Sequence, residues 1–234
     1  MTGSIMMALA AAVTQAAHPA PAPDPAAVPS TPAAAVNGRT VTHPGEKVSI
    51  MVPAAATYVG AERFNLYGVA DAEIHVFVEA DAAKRVQRLY WIQFESYLPA
   101  NDHRYNYADG NTRFDLWGTP TWLAWGPRLT SAPSRPGSDR ESVMRILARQ
   151  GYALPPEMQN VRLVQMLDDP AGTGRGRREL MLIYSEDLAP TGKTVAELVA
   201  DGKITDAFKP LEKPLVDRAI ASFKIERLDP APAP

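Results

Sequence analysis

Alternation of apolar and polar residues in the middle of the chain predicts antiparallel β-strands. In AEIHVFVEAD, residues 72–81, the apolar Ile74, Val76 and Val78 fall on one face. The opposite face carries Glu73, His75, Phe77 and Glu79. The next run, RVQRLYWIQFESY, residues 85–97, also alternates, but both of its faces carry large apolar side chains. Such a strand is either buried on both sides or lines a cavity on one of them.

Short turns between further apolar runs predict hairpins. The turn sequences are HPGE at residues 43–46, DGN at 109–111 and PAGTGRGR at 170–177. The last of these combines glycines with arginines, as phosphate-binding loops do, but it lies between two strands rather than between a strand and a helix. We therefore interpret it as a mobile hairpin tip.

Capping signals predict helices in the carboxy-terminal part of the chain. Ser138 and Glu141 have the spacing of a capping box, and an apolar stripe follows them at helical spacing. Thr194 and Glu197 form a second capping box. Another apolar stripe after Pro214 predicts the last helix, and the prolines before that stripe predict a break.

The order of these elements, many strands followed by helices, indicates an α+β protein. We predict a curved, mainly antiparallel sheet with helices packed on one face. No second segment of linker composition divides residues 38–228, so a single domain is the simplest account of them.

The amino terminus has the pattern of an export signal. Residues 1–17 contain an apolar run from Ile5 to Val13, followed by the small residues Thr14 and Ala16. No Lys or Arg precedes the run, so the pattern is complete only if the native start lies upstream. We expect a periplasmic or secreted protein with no transmembrane segment in its mature chain, and a cytoplasmic protein if the signal-peptide interpretation is wrong.

Alanine and proline dominate the segment between this signal and the predicted domain. Residues 18–37 therefore have the composition of a flexible linker, and residues 229–234 that of a disordered tail. Neither segment has enough large apolar side chains to fold on its own.

Composition excludes several kinds of chemistry. None of the 234 residues is cysteine, which excludes disulfides, iron–sulfur clusters and cysteine nucleophiles. A formal net charge of −2 supplies no positive field, so we expect no nucleic-acid partner. The histidines, at positions 18, 43, 75 and 103, form no metal-binding motif, and we predict neither a metal site nor a cofactor.

Aromatic residues cluster between positions 90 and 125 although they make up only 8% of the chain. They occupy both faces of the strand at 85–97, and too few helices are predicted to cover both faces. The surplus aromatic side chains therefore form a second core or line a ligand pocket. On the second interpretation, the ligand-binding candidates are Trp91, Tyr97, Tyr105, Tyr107 and His75.

Three functions are compatible with this sequence. We favour an exported module that binds a small-molecule ligand or an envelope protein partner through the aromatic-lined sheet face. The first alternative is an extracytoplasmic hydrolase-type enzyme in which Glu95, Asp102 or His103 transfers protons. The second is an envelope structural or assembly factor. The sequence does not decide whether the protein is an enzyme.

Overall fold

Antiparallel strand pairing organises the chain in the computed structural model, which describes residues 30–228. Strand accounts for 47% and helix for 17% of the structure, so the mainly antiparallel sheet is confirmed and the helices contribute less than an α+β assignment implies. The predicted signal peptide, the first part of the linker and the carboxy-terminal tail lie outside the described residues.

A seven-stranded antiparallel sheet forms the centre of the fold. Its strands are β4 (Thr57–Leu66), β5 (Ala70–Ala80), β6 (Val86–Tyr97), β8 (Thr112–Leu116), β9 (Thr119–Leu129), β10 (Glu157–Met166) and β12 (Arg178–Asp187). They lie in the order β4-β5-β6-β12-β10-β9-β8. The pairing of β6 with β12 therefore joins two parts of the sheet that are distant in sequence.

The remaining strands form three smaller sheets. Strands β1 (Ala35–Asn37), β2 (Thr40–His43), β3 (Val48–Met51) and β15 (Lys224–Arg227) make a second sheet in the order β1-β2-β3-β15. Two short pairs join β7 (Tyr105–Asn106) to β11 (Arg175–Gly176) and β13 (Val199–Ala200) to β14 (Lys203–Ile204).

The end of the predicted linker is part of the fold. Strand β1 falls within residues assigned to the linker. Just before it, the Glu73 carboxylate accepts hydrogen bonds from the backbone N–H groups of Ala33, at 2.5 Å, and Ala34, at 2.8 Å. A buried carboxylate fixes this segment, which is why its Ala-rich composition did not reveal its structure.

The helices lie on both faces of the large sheet, which corrects the prediction that they share one face. The buried residues of α1 (Asp139–Arg149) pack with Ile74 and Trp91, on what we call the α1 face. Those of α3 (Lys209–Ala221) pack with Phe77 and Tyr90, on the opposite α3 face. Because both sheet faces are apolar, each needs its own cover.

The helix ends follow the capping signals in part. At α2 (Val195–Leu198), Thr194 and Glu197 form the reciprocal capping box. At α1, Ser138 accepts from the Glu141 N–H, whereas the Glu141 carboxylate binds the N–H of Gly137. The predicted break at Pro214 is wrong, because α3 continues through it. One lost backbone hydrogen bond is offset by packing of the helix on the α3 face.

The loop between β10 and β12, which we call the cover loop, is ordered rather than a mobile hairpin tip. The two strands do form the predicted antiparallel pair. The loop between them folds back because the carboxylates of Asp168 and Asp169 accept hydrogen bonds from backbone N–H groups, among them those of Gly174, at 2.7 Å, and Arg177, at 3.0 Å. The loop then supplies β11, which pairs with β7.

This pairing overturns the hairpin predicted at residues 109–111. Strand β7 pairs with β11, and β8 pairs with β9 instead. The turn between β8 and β9 uses Trp117 and Gly118, with φ values of 52° and 74°. These values suit a two-residue hairpin turn, which needs positive φ at both positions.

Arg177 holds the loop that follows β6. Its guanidinium donates to the backbone carbonyl oxygens of Leu98, at 2.9 Å, of Asn101, at 2.8 Å, and of His103, at 3.1 Å. The cover loop between β10 and β12 therefore also fixes the segment that leads to Tyr105.

We expect Gly174→Ala to destabilise the protein more than the same substitution at a glycine that has no atoms near its added Cβ. Gly174 has φ of +77°, and an added Cβ would lie 2.8 Å from the Trp122 ring. Gly110→Ala is the matched control, since Gly110 has φ of +84° with nothing within 4 Å. The control should cost about 1 kcal/mol from backbone strain, and Gly174→Ala about 2–4 kcal/mol. Equal losses in urea unfolding would contradict close packing of the cover loop.

Candidate functional site

A row of polar side chains runs along β6 on the otherwise apolar α1 face. The Trp91 indole Nε1–H donates to Gln93 Oε1 at 2.9 Å, and Gln93 Nε2–H donates to Glu95 Oε2 at 2.6 Å. The Tyr105 hydroxyl donates to Glu95 Oε1 at 2.5 Å. Because alternate residues of a strand share a face, this row is a direct consequence of the β6 sequence.

Glu179 of β12 lies directly opposite Glu95 in the strand register. Glu95 is 8% exposed and Glu179 only 1% exposed, so two carboxyl groups are buried side by side. Neither carboxyl oxygen of Glu179 has a hydrogen bond of good geometry. Two carboxylates in this position cannot both ionise without strong repulsion.

The surroundings favour the protonated forms of both acids. Burial raises the pKa of Glu95 to about 7, although the hydrogen bonds from Tyr105 and Gln93 lower it in part. Burial, followed by the charge of Glu95, raises the pKa of Glu179 well above its ordinary value, and the Tyr107 hydroxyl offsets this only partly. The pair therefore retains at least one proton at neutral pH.

Tyrosine rings surround the carboxyl pair. The rings of Tyr97 and Tyr105 stack with centroids 4.3 Å apart, and Tyr107 lies 6.3 Å from Tyr105. The Arg162 guanidinium lies over the Tyr107 ring at 5.4 Å. Burial, the largest cause in each case, raises the pKa of both Tyr105 and Tyr107, so their hydroxyls remain hydrogen-bond donors.

A small crevice opens between the first turns of α1 and the same sheet face. Its free volume is about 30 Å³, room for one or two water molecules. Most of its lining is apolar, and Trp91 links it to the row of polar side chains. The lining residues are Leu89, Trp91, Arg128, Thr130, Arg140, Val143, Met144, Leu154, Met158, Ile183 and Ser185.

Charged side chains converge on this crevice without pairing. The Arg128 side chain has no hydrogen bond or ion pair within residues 30–228, and the Arg140 guanidinium donates only to the Thr130 carbonyl oxygen, at 2.5 Å. Arg128 is exposed, and partial burial, followed by the charges of Arg140 and Arg162, lowers its pKa. Burial raises the pKa of Asp139 even though these arginines lie near it.

Two buried polar side chains adjoin these charges. Ser185 and Asn160 lie directly opposite each other in the β10–β12 register. They are 4% and 9% exposed, and neither side chain has a hydrogen-bond partner in the described part of the chain. Ser185 lines the crevice, so its hydroxyl faces the same space as Arg128 and Arg140.

The structure brings together most, but not all, of the predicted site residues. Those on the α1 face are Trp91, Glu95, Tyr97, Tyr105 and Tyr107. His75 does not join them, because it lies on the α3 face with its Nε2 2.8 Å from Glu73 Oε1. His75 is therefore a packed core residue bonded to a buried acid.

Asp102 and His103 stay apart from Glu95. Both are exposed in the loop after β6. The His103 ring contacts Tyr97 at 5.6 Å, and the path from there to Glu95 runs through the Tyr105 ring. Asp102 and His103, two of the three candidates for proton transfer, therefore lie apart from the third, Glu95. The acid next to Glu95 is Glu179.

Several site residues were missed by sequence reasoning. They are Gln93, Arg128, Asp139, Arg140, Asn160, Arg162, Glu179 and Ser185. In RRELMLIYSED, Glu179 shares a strand face with Met181 and Ile183, and a lone acid in an apolar stripe is a detectable signal. Its partner could not be identified without the register of two strands that are far apart in sequence.

The described residues contain no ready metal centre and no membrane-spanning helix. Within residues 30–228, no three His, Asp or Glu side chains group together as metal ligands would. No helix in that range has the length and apolar character needed to cross a bilayer.

The Glu95–Glu179 pair should make stability fall as the pH rises. With folded-state pKa values raised above the ordinary 4.5, to about 7 for Glu95, the folded protein binds more protons than the unfolded chain in this interval. Between about pH 5 and pH 8 we expect a loss on the order of 2–3 kcal/mol, which Glu95→Gln or Glu179→Gln should each reduce and the double substitution should largely remove. Urea unfolding across this range measures it.

Two comparisons isolate the pair in that experiment. Burial lowers the pKa of His43, which adds stability as the pH rises, but this contribution is common to all variants and cancels in differences. Glu186→Gln removes another buried acid of β12 outside the pair, and it should leave the pH dependence in place. If the free energy of unfolding depends on pH in the same way in the wild type, Glu95→Gln and Glu179→Gln, the pair does not retain the proton inferred above.

Comparison of the chain with protein-family models, with curated proteins and with solved structures found no match. No residue role is therefore carried over from another protein. Function has to be inferred from the contacts and charges on the α1 face.

Proposed function

We propose that this protein is an exported module that binds a small molecule in the crevice between α1 and the α1 face of the sheet. Trp91 forms part of the crevice floor and connects it to Glu95 through Gln93. This retains the aromatic sheet face expected from the sequence and locates the ligand at one end of it.

One observation carries the proposal. Arg128, Arg140 and Ser185 line an apolar crevice with polar groups that the protein itself leaves wholly or partly without partners. Ser185 is 4% exposed, and polar groups this deeply buried in folded proteins are almost always hydrogen-bonded. A mostly apolar pocket with a few convergent polar groups is the usual form of a small-molecule site.

The geometry favours binding over catalysis. A buried carboxyl pair with a raised pKa also suits acid–base chemistry. However, Glu95 and Glu179 are not among the residues that line the crevice, and tyrosine rings surround the pair. A proton donor must reach the reacting atom directly or through one water molecule. These contacts favour a structural role for the carboxyl pair, which supports the Trp91–Gln93–Glu95 row.

Export and a single curved domain belong to the same proposal. The apolar run and small residues within positions 1–17 support export, and the continuous seven-stranded sheet supports one domain. We expect the mature protein, purified from cell fractions, to begin after residue 17 and to be found outside the cytoplasm. Amino-terminal sequencing that finds an intact Met1 in the cytosol would refute export.

Methionine methyl groups offer a direct test of the binding site. Met144 and Met158 line the crevice, whereas Met51 lies in β3 of the smaller sheet. In protein labelled with [methyl-¹³C]methionine, small neutral compounds such as butyramide and butanol should shift the Met144 and Met158 signals in a saturable way. The Met51 signal should not move. Absence of any shift, or equal shifts at all three, would count against the crevice.

A filled crevice provides the second arm of this test. Met144→Trp should occupy the crevice mouth and abolish the saturable shift of the Met158 signal, because the larger side chain takes the ligand's space. Ala148→Trp is the matched control, since Ala148 is exposed on the same helix. The control should bind as the wild type does. Loss of binding in both variants would indicate damage to α1 rather than occupation of the site.

A further inference from the structure

The polar groups around the crevice are mostly hydrogen-bond donors. Arg128 and Arg140 are cations with several N–H groups each, and only one hydrogen bond, from Arg140 to the Thr130 carbonyl oxygen, uses them. The Ser185 hydroxyl and the Asn160 amide add donors that no residue of the described chain accepts. A site rich in unused donors is complementary to a group that only accepts hydrogen bonds.

The charge around the crevice is positive. Arg128, Arg140 and Arg162 lie close enough to lower the pKa of Asp139 in part, and Asp139 is one of two acids in the first turn of α1. None of the ion pairs found within residues 30–228 joins Asp139 to an arginine. Arg128 and Arg140 line the crevice and no acidic residue within residues 30–228 does, so its lining carries a positive excess.

The rest of the crevice is apolar and short. Leu89, Val143 and Ile183 contribute hydrocarbon surface beneath the arginines. The enclosed free volume of about 30 Å³ leaves room for the end of a short chain and none for a large ring system. The ligand therefore needs an anionic, acceptor-only head and a short apolar tail.

We propose that the crevice binds a short-chain carboxylate, with its carboxylate group held by Arg128, Arg140 and the Ser185 hydroxyl and its tail against Trp91. This specifies the ligand class of the binding function proposed above and rests on it. Arg128 is the main determinant, since its guanidinium has no other partner within residues 30–228. Arginine suits the role because its planar fork matches a carboxylate.

Butyrate and butyramide separate charge from shape, because they differ only in the head group. Titrations at constant ionic strength, followed by the Met144 and Met158 methyl signals and by calorimetry, should show butyrate binding at least about 10-fold more tightly than butyramide. Sodium chloride at the same concentration should not compete. Propionate should behave like butyrate.

The decisive variant is Arg128→Met, which keeps the hydrocarbon stem and removes the charge. It should raise the Kd for butyrate about 10- to 100-fold and leave the Kd for butyramide unchanged. Arg113→Met is the matched control, because Arg113 is exposed on β8 and paired with Asp115 at 3.1 Å. Ser185→Ala should weaken butyrate binding about 3- to 10-fold.

Each outcome decides between the two proposals. If butyramide shifts Met144 and Met158 and butyrate binds no more tightly, the carboxylate inference is wrong and the binding function stands. If neither compound perturbs these signals, both proposals fail. If Arg128→Met and Arg113→Met weaken butyrate binding equally, the anion responds to overall charge and the site inference is wrong.

Discussion

The antiparallel register between β6 and β12 is the constraint on which the candidate site depends. It sets Glu95 opposite Glu179 and Trp91 opposite Ile183, all on the α1 face. A slip of one residue would move all of these side chains to the α3 face. The register is strongly specified because Tyr90 and its neighbours on the other face are fully buried, so neither strand can exchange its faces without exposing a core.

The two faces of β12 handle buried acids in different ways. On the α3 face, Glu186 accepts hydrogen bonds from Gln159, Tyr184 and Arg218, so its charge is fully compensated. On the α1 face, Glu179 has no such partners, and burial and the charge of Glu95 raise its pKa. The protein can therefore supply hydrogen-bond donors to a buried acid. Glu179 lacks such donors because of the surroundings of that site, not because donors are scarce.

Local patterns in the sequence predicted much of the fold and only part of the site. Alternation placed Trp91, Gln93 and Glu95 on one face of β6, and the capping box at Thr194 is confirmed. Local patterns could not identify the neighbour of β6, so Glu179 was missed and His75 was grouped with residues of the opposite face. The strand β4 and the order of the cover loop were also missed, because long-range contacts rather than local turns determine them.

Two local sequence signals, glycine content for flexibility and opposite charges for ion pairing, do not describe the cover loop and the crevice. The glycines near 174 allow close packing on Trp122 rather than movement, and aspartate side chains hold the loop by its backbone. Near the crevice, Asp139 and Arg128 lie close to each other but form no ion pair. An ion pair there would offset part of the desolvation cost of both groups. In the proposed site, a carboxylate that contacts Arg128 and Arg140 supplies this compensation instead.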